Sequence, residues 1–441
     1  MLYRLYLRAP GEKGALPRGQ NAIIHLNEPG ISGQPVHHNL GNMFASPFLP
    51  PDTVQAFLLA AMGIWAADKL VSRRLARDAW TRVLELHLPV TGRWLTLASR
   101  LSKLLSFLTG DRWTLNCREF PINLGFAGKW PCAWQPSAVA LFSGGLDSLV
   151  GAIDKLEAGD RLLLVSHYDY GQLAARQQAL AAALSRHYGP ERLQHLAVRV
   201  SFPEFQEITL RSRSLLYLAL GLAAAAAFGP DMPLVVPENG WISFNPPLTL
   251  NRLGTYSTRT THPFFLRELS DLWTEVGLRH PLLNPYQYQS KGEVLENCRN
   301  SPLLKKLIPL TSSCAHPVAS RWQGEPEGEC GYCYPCLLRR AALNRLGWDD
   351  GGHYRLDALS HPDILRHRQK GADLRALLLA IQTWSHNPQE VLARLWLGVP
   401  AAAVPARYYP ARPLLTAGFQ ELAQFFQDKG PPWIRSYLNW P

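Results

Sequence analysis

The sequence contains no apolar run long enough to cross a membrane. A spanning helix needs about 20 consecutive apolar residues, whereas the longest run here, residues 215–228, is shorter and ends at a Gly-Pro pair. The first eight residues alternate apolar and charged side chains and lack the continuous apolar stretch of an export signal. We therefore expect a cytoplasmic protein, and we interpret residues 215–228 as a buried helix.

Cysteine is scarce as well, with seven residues in 441. The count is odd, and four of the seven fall between positions 314 and 336. In a reducing compartment this clustering favours metal binding over a set of disulfide bonds. The other three, Cys117, Cys132 and Cys298, have no such spacing and are most simply packing residues.

Acidic residues are outnumbered by basic ones, 34 to 45, which gives a net charge of +11 and a pI of about 9.4. This excess favours an anionic partner such as a nucleotide, an RNA or an acidic protein. Hydrophobic residues make up 47% and charged residues 18%, so wholesale disorder is excluded. The length excludes a single small module and predicts about three domains.

The pattern of predicted elements divides the chain into three parts. Residues 1–136 mix strand-like alternation with helical segments, which predicts an α+β domain. In residues 137–346 apolar strand candidates alternate with helical segments, which predicts a doubly wound parallel sheet with helices on both faces. Residues 347–441 form a mostly helical extension. The predicted fold class is therefore α/β.

One strand of the predicted core leads directly into a glycine turn. The sequence Ser143-Gly144-Gly145-Leu146-Asp147-Ser148 follows the apolar segment 138–142 and begins a helix. Paired glycines allow a sharp turn close to a ligand, and a helix N-terminus presents unpaired N–H groups to an anion. Ser143 and Ser148 add hydroxyl donors, and Asp147 suits Mg²⁺. The loop has no lysine, which excludes a Walker A site; the simpler alternative is a tight turn with a helix cap.

The clustered cysteines have the spacing of metal ligands: Cys314, Cys330, Cys333 and Cys336. Four thiolates suit Zn²⁺ in a tetrahedral site and leave no open position for a substrate, so we expect a structural role. A redox Cys-x-x-Cys pair and an iron–sulfur cluster are the alternatives.

Taken together, the glycine loop and the cysteine pattern resemble the 7-cyano-7-deazaguanine synthase family (QueC), whose loop is the PP-loop of the ATP pyrophosphatase superfamily. The resemblance extends over about residues 137–346. Enzymes of this family use ATP to adenylate the carboxylate of 7-carboxy-7-deazaguanine, form the amide with ammonia and then the nitrile, and contain a structural zinc close to the substrate. The resemblance implies an ATP-dependent ligase or synthase that uses ATP, Mg²⁺ and Zn²⁺.

The resemblance also implies roles for individual residues. The candidate catalytic residues are Asp147, Ser148, Lys291 and Arg213. The implied ATP-binding residues are Ser143, Gly144, Gly145, Leu146, Asp147, Ser148 and His167. The implied substrate-binding residues are Tyr170, Gln172, Glu238, Asn239, Thr261, His262 and Arg339, and the four cysteines would bind zinc. For Lys291, Arg213 or Arg339 taken alone, a solvated surface base is an equally good interpretation.

The sequence departs from the family pattern at three places. Leu173 and Ala174 follow Tyr-Gly-Gln where the family has Arg-His. The family's Ser-Gly-Tyr-Pro-Asp-Cys-Arg-Pro segment is replaced in residues 255–263, where only Pro263 is retained, a residue suited to the first helical turn after a Thr cap. The gap after Cys314 is also longer. These departures predict retained ATP and zinc chemistry with an altered acceptor or base.

With its long additional segments, the sequence is most similar to the divergent QueC-like proteins of bacterial anti-phage operons, the QatC type. This resemblance implies that an acyl adenylate is passed either to ammonia or to an amine of a partner protein from the same operon. With a protein acceptor, it implies that the N-terminal domain, residues 1–136, is a candidate docking surface for that partner. Two other functions remain open. One is a tRNA-modifying thiolase, which the basic charge would suit; the other is a non-catalytic nucleotide-binding module of a defence complex.

Overall fold

The structure, a computed structural model, describes residues 2–13, 19–43, 49–127, 134–252, 258–316, 328–394 and 411–439. Cys132 and residues 255–257 of the substituted segment lie outside these ranges. The chain folds into two compact units, one of residues 1–144, 155–237 and 258–285, the other of residues 145–154, 238–257 and 286–441. The N-terminal 136 residues thus share a unit with most of the predicted core, whereas the sequence-based division makes them a separate domain.

The N-terminal residues of the first unit build a sheet of order β3-β2-β1-β5-β6 in which all neighbours pair in parallel. Its strands are β1 (Leu2–Leu7), β2 (Ala22–His25), β3 (Gln34–Pro35), β5 (Val83–Val90) and β6 (Arg112–Glu119). The helices α1 (Asp52–Leu70) and α2 (Ala98–Thr109) separate these strands in sequence. This part is therefore α/β, not the predicted α+β, because apolar alternation identifies a strand but not the direction in which it pairs.

The second sheet has the order β11-β10-β7-β8-β9-β4. Its parallel strands are β7 (Ala138–Leu141), β8 (Leu162–Tyr168), β9 (Leu193–Ser201), β10 (Leu234–Val235) and β11 (Leu282–Leu283). The N-terminal β4 (His37–His38) pairs antiparallel with β9 at the edge. The predicted doubly wound parallel sheet is confirmed. Its strand order reverses at β7, the position at which open α/β sheets bind ligands.

The helices that alternate with these strands in sequence are α3 (Leu146–Glu157), α4 (Gly171–Tyr188), α5 (Arg213–Ala227) and α7 (Pro263–Glu275). Residues 146–154 of α3 belong to the second unit, and its last residues belong to the first. Eleven of the fifteen residues of α5 are buried, so the apolar run 215–228 is a core helix as predicted. His262 caps α7, because its Nδ1 accepts from the N–H of Phe264; the predicted Thr cap is wrong. None of the helices in the described ranges is long and apolar enough to cross a membrane.

The second unit is mainly helical. It contains α6 (Gly240–Phe244), α8 (Lys291–Glu296), α9 (Ser301–Leu307), α10 (Tyr334–Arg345), α11 (Ala372–His386), α12 (Pro388–Arg394), α13 (Ala411–Lys429) and α14 (Pro432–Tyr437). Its core includes Trp241, Leu377 and Phe419. The helical C-terminal extension predicted from the sequence is therefore confirmed, and α13 is packed into the core of this unit.

Candidate nucleotide site and metal centre

The phosphate loop joins β7, which ends at Leu141, to α3, which begins at Leu146. Gly144 has a φ of +83°, and a Cβ atom there would lie 3.3 Å from Cγ of Gln177. An L-residue pays roughly 1–2 kcal/mol for that backbone conformation. The glycine turn is therefore required, and it delivers the chain directly to the N-terminus of a helix that can bind an anion.

The buried side chain of Gln177, in the first unit, fixes the first residue of the phosphate loop. Its Nε2 donates to the carbonyl oxygens of Ser143 and His167, both at 3.2 Å. It thereby ties the first loop residue to the end of β8. Sequence reasoning missed Gln177, because a glutamine is usually exposed and no local pattern distinguishes a buried one.

Asp147 is the centre of a polar cluster in the second unit. It lies in the first turn of α3 and is 8% exposed. Its Oδ2 accepts from Nζ of Lys291 at 2.5 Å and from Nδ2 of Asn239 at 3.1 Å. Ser148 Oγ donates to the carbonyl oxygen of Gly145 at 2.9 Å. Asn239 and Lys291, two of the residues predicted to form the site, thus both contact Asp147 directly.

Glu238 completes this cluster. Nδ2 of Asn239 also donates to Oε1 of Glu238 at 3.1 Å, so one amide group bridges the two carboxyl groups. Burial raises the pKa of Glu238 well above its usual value, and the neighbouring carboxylate of Asp147 raises it further. Oδ1 of Asp147 is buried without a hydrogen-bond partner among the described residues. Two adjacent carboxyl groups provide the oxygen ligands that a hard divalent cation such as Mg²⁺ prefers, so the residues present fit such an ion.

The shifted pKa of Glu238 makes stability depend on pH. The folded-state pKa lies above the ordinary value of 4.5, so the folded protein retains a proton that the unfolded chain releases. Stability therefore falls as the pH rises above 4.5 and through the folded-state pKa. We expect the Glu238→Gln variant, which cannot ionise, to melt at a higher temperature than the wild type at pH 8.5, with a smaller difference at pH 5.

The measurement is thermal melting without added Mg²⁺, because a bound cation would offset the buried charge. The exposed Glu204, changed to Gln, is the matched control and should leave the melting temperature unchanged at both pH values. If the difference in melting temperature between the Glu238→Gln variant and the wild type does not grow with pH, the raised pKa of Glu238 is contradicted.

A second cluster lies in the first unit, beyond the end of β8. Arg213 begins α5, and its Nε donates to Nδ1 of His167 at 3.2 Å. Its guanidinium is 4.0 Å from Oδ1 of Asp169, while Nζ of Lys69 is 3.9 Å from Oδ2 of the same residue. Two cations therefore face one carboxylate, an arrangement that suits an anionic ligand group. Lys69 was missed because it lies on α1, far from the motifs in sequence.

His167, predicted to bind ATP, is fully buried. Its Nε2 lies 2.9 Å from the carbonyl oxygen of Val200, to which it donates, because Nδ1 accepts from Arg213. Burial, followed by the nearby charge of Arg213, holds the pKa of His167 well below its usual value, so the ring is neutral. These contacts support a role in orienting Arg213 and do not support a direct contact with ATP.

Of the other residues proposed to bind substrate, Tyr170 and Gln172 lie at the start of α4. Burial raises the pKa of Tyr170, and the charges of Arg213 and Asp169 also act on it, so it lies near the second cluster. Thr261 and His262 are buried at the start of α7. The His262 ring packs edge-on against Phe107, which belongs to α2, at 5.3 Å, and burial lowers its pKa to about 3. Substrate contacts by these four residues remain predictions.

N-terminal residues also support the segment before Arg213. Oδ2 of the buried Asp68 accepts from Oγ of Ser212 at 2.6 Å and from Oγ1 of Thr209 at 3.1 Å. Its other oxygen accepts from Arg82 at 2.5 Å. Removing one partner of such a buried charged network is costly. The N-terminal part thus fixes the backbone next to Arg213 in addition to supplying Lys69.

The four cysteines converge in the second unit. The Sγ atoms of Cys314, Cys330, Cys333 and Cys336 all lie within 4.8 Å of one another, and those of Cys330 and Cys336 are 3.9 Å apart. Four Zn–S bonds of about 2.3 Å in a tetrahedron place the sulfur atoms about 3.8 Å apart. The thiol set therefore fits a tetrahedral metal ion, and it has no position left for a substrate.

Backbone geometry supports this cluster. The N–H groups of His316 and Cys330 point at Sγ of Cys314, at 3.2 and 3.3 Å, which favours a thiolate. Gly331 has a φ of +80°, and a Cβ atom there would lie 2.0 Å from the carbonyl oxygen of Leu356. Only glycine allows the chain to turn tightly between Cys330 and Cys333.

Arg339, predicted to bind substrate, is fully buried. Its guanidinium donates to Oγ1 of Thr311 at 2.7 Å and to the carbonyl oxygen of Ile308 at 3.0 Å, and it pairs with Glu329 at 3.3 Å. Glu329 immediately precedes Cys330. Arg339 therefore braces the two segments that supply the thiols, and this geometry does not support a direct substrate contact.

The fold and these sites define an α/β protein with a glycine loop at the switch point of its parallel sheet and a cluster of four cysteines whose geometry fits a metal ion. No protein-family model matches the sequence. The chain is, however, similar to curated enzymes named 7-cyano-7-deazaguanine synthase. The enzyme from Parasynechococcus marenigrum (strain WH8102) is 27% identical over 241 residues, which cover 49% of this chain and 96% of the synthase. The enzyme from Novosphingobium aromaticivorans is 28% identical over 248 residues, which cover 51% of this chain and 97% of the synthase.

The synthase of Thiobacillus denitrificans is 26% identical over 244 residues, 50% of this chain and 99% of its own length. The resemblance inferred from the loop and cysteine motifs is thereby confirmed: the chain is similar to these synthases over nearly their whole length, at an identity below 30%. Half of the present chain lies outside the match.

Proposed function

We propose that the chain is an ATP-dependent enzyme of the 7-cyano-7-deazaguanine synthase type, which adenylates the carboxylate of a 7-deazaguanine. The observation that carries the proposal is the cluster of Asp147, Glu238, Asn239 and Lys291 at the helix that follows the glycine loop. A buried carboxylate next to an anion-binding helix N-terminus suits a metal-bound polyphosphate. The names of the relatives supply the class of base.

In the proposed reaction, a carboxylate oxygen of the base attacks the α-phosphorus of ATP. The bond from that phosphorus to the oxygen bridging to the β-phosphate breaks, and pyrophosphate leaves with the bonding electrons. An amine nitrogen then attacks the carbonyl carbon, AMP leaves, and the nitrogen loses one proton. The product is an amide, which a second activation would convert to a nitrile if the amine is ammonia.

The loop residues would bind and orient the phosphates. Backbone N–H groups at the start of α3 and the hydroxyl of Ser143 are donors for phosphate oxygens. Asp147 and Glu238 would hold Mg²⁺, which when bound offsets the charge of the phosphates. Lys291 is a cation that can stabilise the charge that develops on the α-phosphate and on the leaving group.

We further propose that the acceptor is an amine of a partner protein and that the chain acts in anti-phage defence. Half of the chain lies outside the match to the synthases, and the substituted segment 255–263 alters the predicted base pocket. An oriented amine held by a docked partner gains a large effective concentration over free ammonia. The closed four-thiol cluster argues against the thiolase alternative, because it leaves none of its thiols free for persulfide chemistry.

The proposal is tested by incubating the protein with ATP, Mg²⁺ and 7-carboxy-7-deazaguanine, with and without the proteins encoded beside it. Pyrophosphate release is measured, and small molecules and intact proteins are analysed by mass spectrometry. We expect a neighbouring protein to gain the mass of the base acid less one water. A small-molecule amide or nitrile would instead identify ammonia as the acceptor, and no pyrophosphate release under any condition would contradict the proposed function.

A further inference from the structure

Helix α13, in the C-terminal extension, contacts both segments that supply partners to Asp147. Glu421 on this helix is buried, and its Oε2 accepts from Oγ of Ser290 at 2.8 Å and from the N–H of Gly292 at 2.9 Å. These two residues flank Lys291, whose Nζ is bonded to Asp147. We propose that α13 is a positioning element of the nucleotide site, in which Glu421 holds the backbone on both sides of Lys291. The proposal rests on the function proposed above.

The same face of α13 lies against the segment that follows Glu238 and Asn239. A Cβ atom on Gly418 would lie 2.1 Å from the ring of Trp241, and one on Gly240 would lie 2.7 Å from Cδ2 of Leu414. Residues 414, 418 and 421 lie on one side of a helix, because their spacing corresponds to one and two turns. One face therefore fixes the backbone of both segments, and there is no room at Gly418 or Gly240 for a larger residue.

Gly292 and the carboxyl group of Glu421 are in close contact. A Cβ atom on Gly292 would lie 2.2 Å from Oε2 of Glu421, so this glycine allows the carboxyl group to reach the first turn of α8. Burial raises the pKa of Glu421 to about 7. A side chain that is partly protonated near neutral pH acts through its hydrogen bonds more than through its charge. An amide oxygen at the same position can accept the same bonds, so the Glu421→Gln variant should retain the function.

The test compares Glu421→Ala, Glu421→Gln and, as a matched control, Gln420→Ala, which truncates an exposed residue of the same helix. Hydrogen–deuterium exchange is followed in the full-length protein for a peptide that covers residues 286–298, and pyrophosphate release is followed with ATP and 7-carboxy-7-deazaguanine. We expect Glu421→Ala to speed exchange of this peptide about tenfold, because a buried hydroxyl and a buried N–H lose their acceptor. We expect its kcat to fall about tenfold with KM for ATP within about twofold of wild type, and Glu421→Gln to restore both.

Unchanged exchange and kcat in Glu421→Ala would overturn the proposal, as would a Glu421→Gln variant that is as defective as Glu421→Ala. If Glu421→Ala does not fold, Glu421→Asp, which withdraws the carboxyl group by one methylene, replaces it in both measurements. The exchange measurement needs no substrate. An inactive wild type would therefore contradict the proposed function, while exchange still decides whether Glu421 holds the Lys291 segment.

Discussion

Replacing Asp147 by Asn should reduce ATP-dependent pyrophosphate release by a factor on the order of 10³ while leaving the fold intact. The change removes the negative charge from a buried side chain whose Oδ1 has no hydrogen-bond partner among the described residues. It also removes the ion pair with Lys291, whose Nζ is 2.5 Å from Oδ2. An amide is a far weaker ligand for a divalent cation than a carboxylate, so the metal-bound phosphates lose their anchor.

The measurement is the initial rate of pyrophosphate release with saturating ATP and the base carboxylate, accompanied by a melting curve. Asp271→Asn is the control, because Asp271 is an exposed aspartate on α7 and its change should leave the rate within about twofold. If Asp147→Asn keeps most of the wild-type rate, the loop is not part of the reaction. A large loss of stability in this variant would show instead that Asp147 is needed for folding.

Replacing Cys333 by Ser should remove the metal and destabilise the second unit. The wild type is expected to contain about one zinc ion per chain, and three thiolates and a hydroxyl hold zinc much more weakly than four thiolates. Cys333 is almost fully buried and lies at the start of α10. Loss of the metal would therefore leave the remaining buried thiols without the ion that holds them together. We expect the melting temperature to fall by roughly 10 °C, because metal binding contributes directly to the folding free energy.

Metal content is measured by elemental analysis and stability by thermal melting. Cys298→Ser provides the matched control, since Cys298 is buried in the same unit but lies outside the cluster. This control should keep its metal and lose only a small amount of packing energy. Iron together with visible absorption in the wild type would support an iron–sulfur cluster in place of zinc, and full metal content in Cys333→Ser would exclude Cys333 as a ligand.

The sequence was most informative where the chemistry is local. Ser143 to Ser148 form a turn and a helix start within six residues, and Gly144 has the positive φ that the glycine pair indicates. The cysteine spacing likewise predicts that the four thiols converge on one centre, and their sulfur atoms lie within 4.8 Å of one another. In the loop, and for the three thiols from Cys330 to Cys336, neighbouring residues set the backbone, so the residue types and their spacing are sufficient to predict the local geometry. Cys314 comes from a separate segment, and only its place in the ordered motif indicates that it belongs to the cluster.

The sequence was least informative about long-range partners. The resemblance implies ligand contacts for Arg339 and His167, yet both are fully buried and bonded to other protein groups. The sequence does not indicate Lys69 or Glu421, because each reaches its contact from an element that is distant in sequence, and it does not indicate Gln177, because a glutamine is usually exposed. It does not indicate the parallel pairing of the N-terminal strands either, because apolar alternation does not show the direction in which a strand pairs.

The sequence by itself thus determined the α/β class, the glycine loop, the thiol set and the similarity to the synthases, because each depends on short-range patterning or on ordered motifs along the chain. Only the tertiary structure decided which cation meets Asp147, which side chains brace Arg213, and that helix α13 lies beside Lys291. These contacts arise from packing between elements up to 144 residues apart. Local sequence patterns show which faces of these elements are buried, but not which buried faces pack against each other.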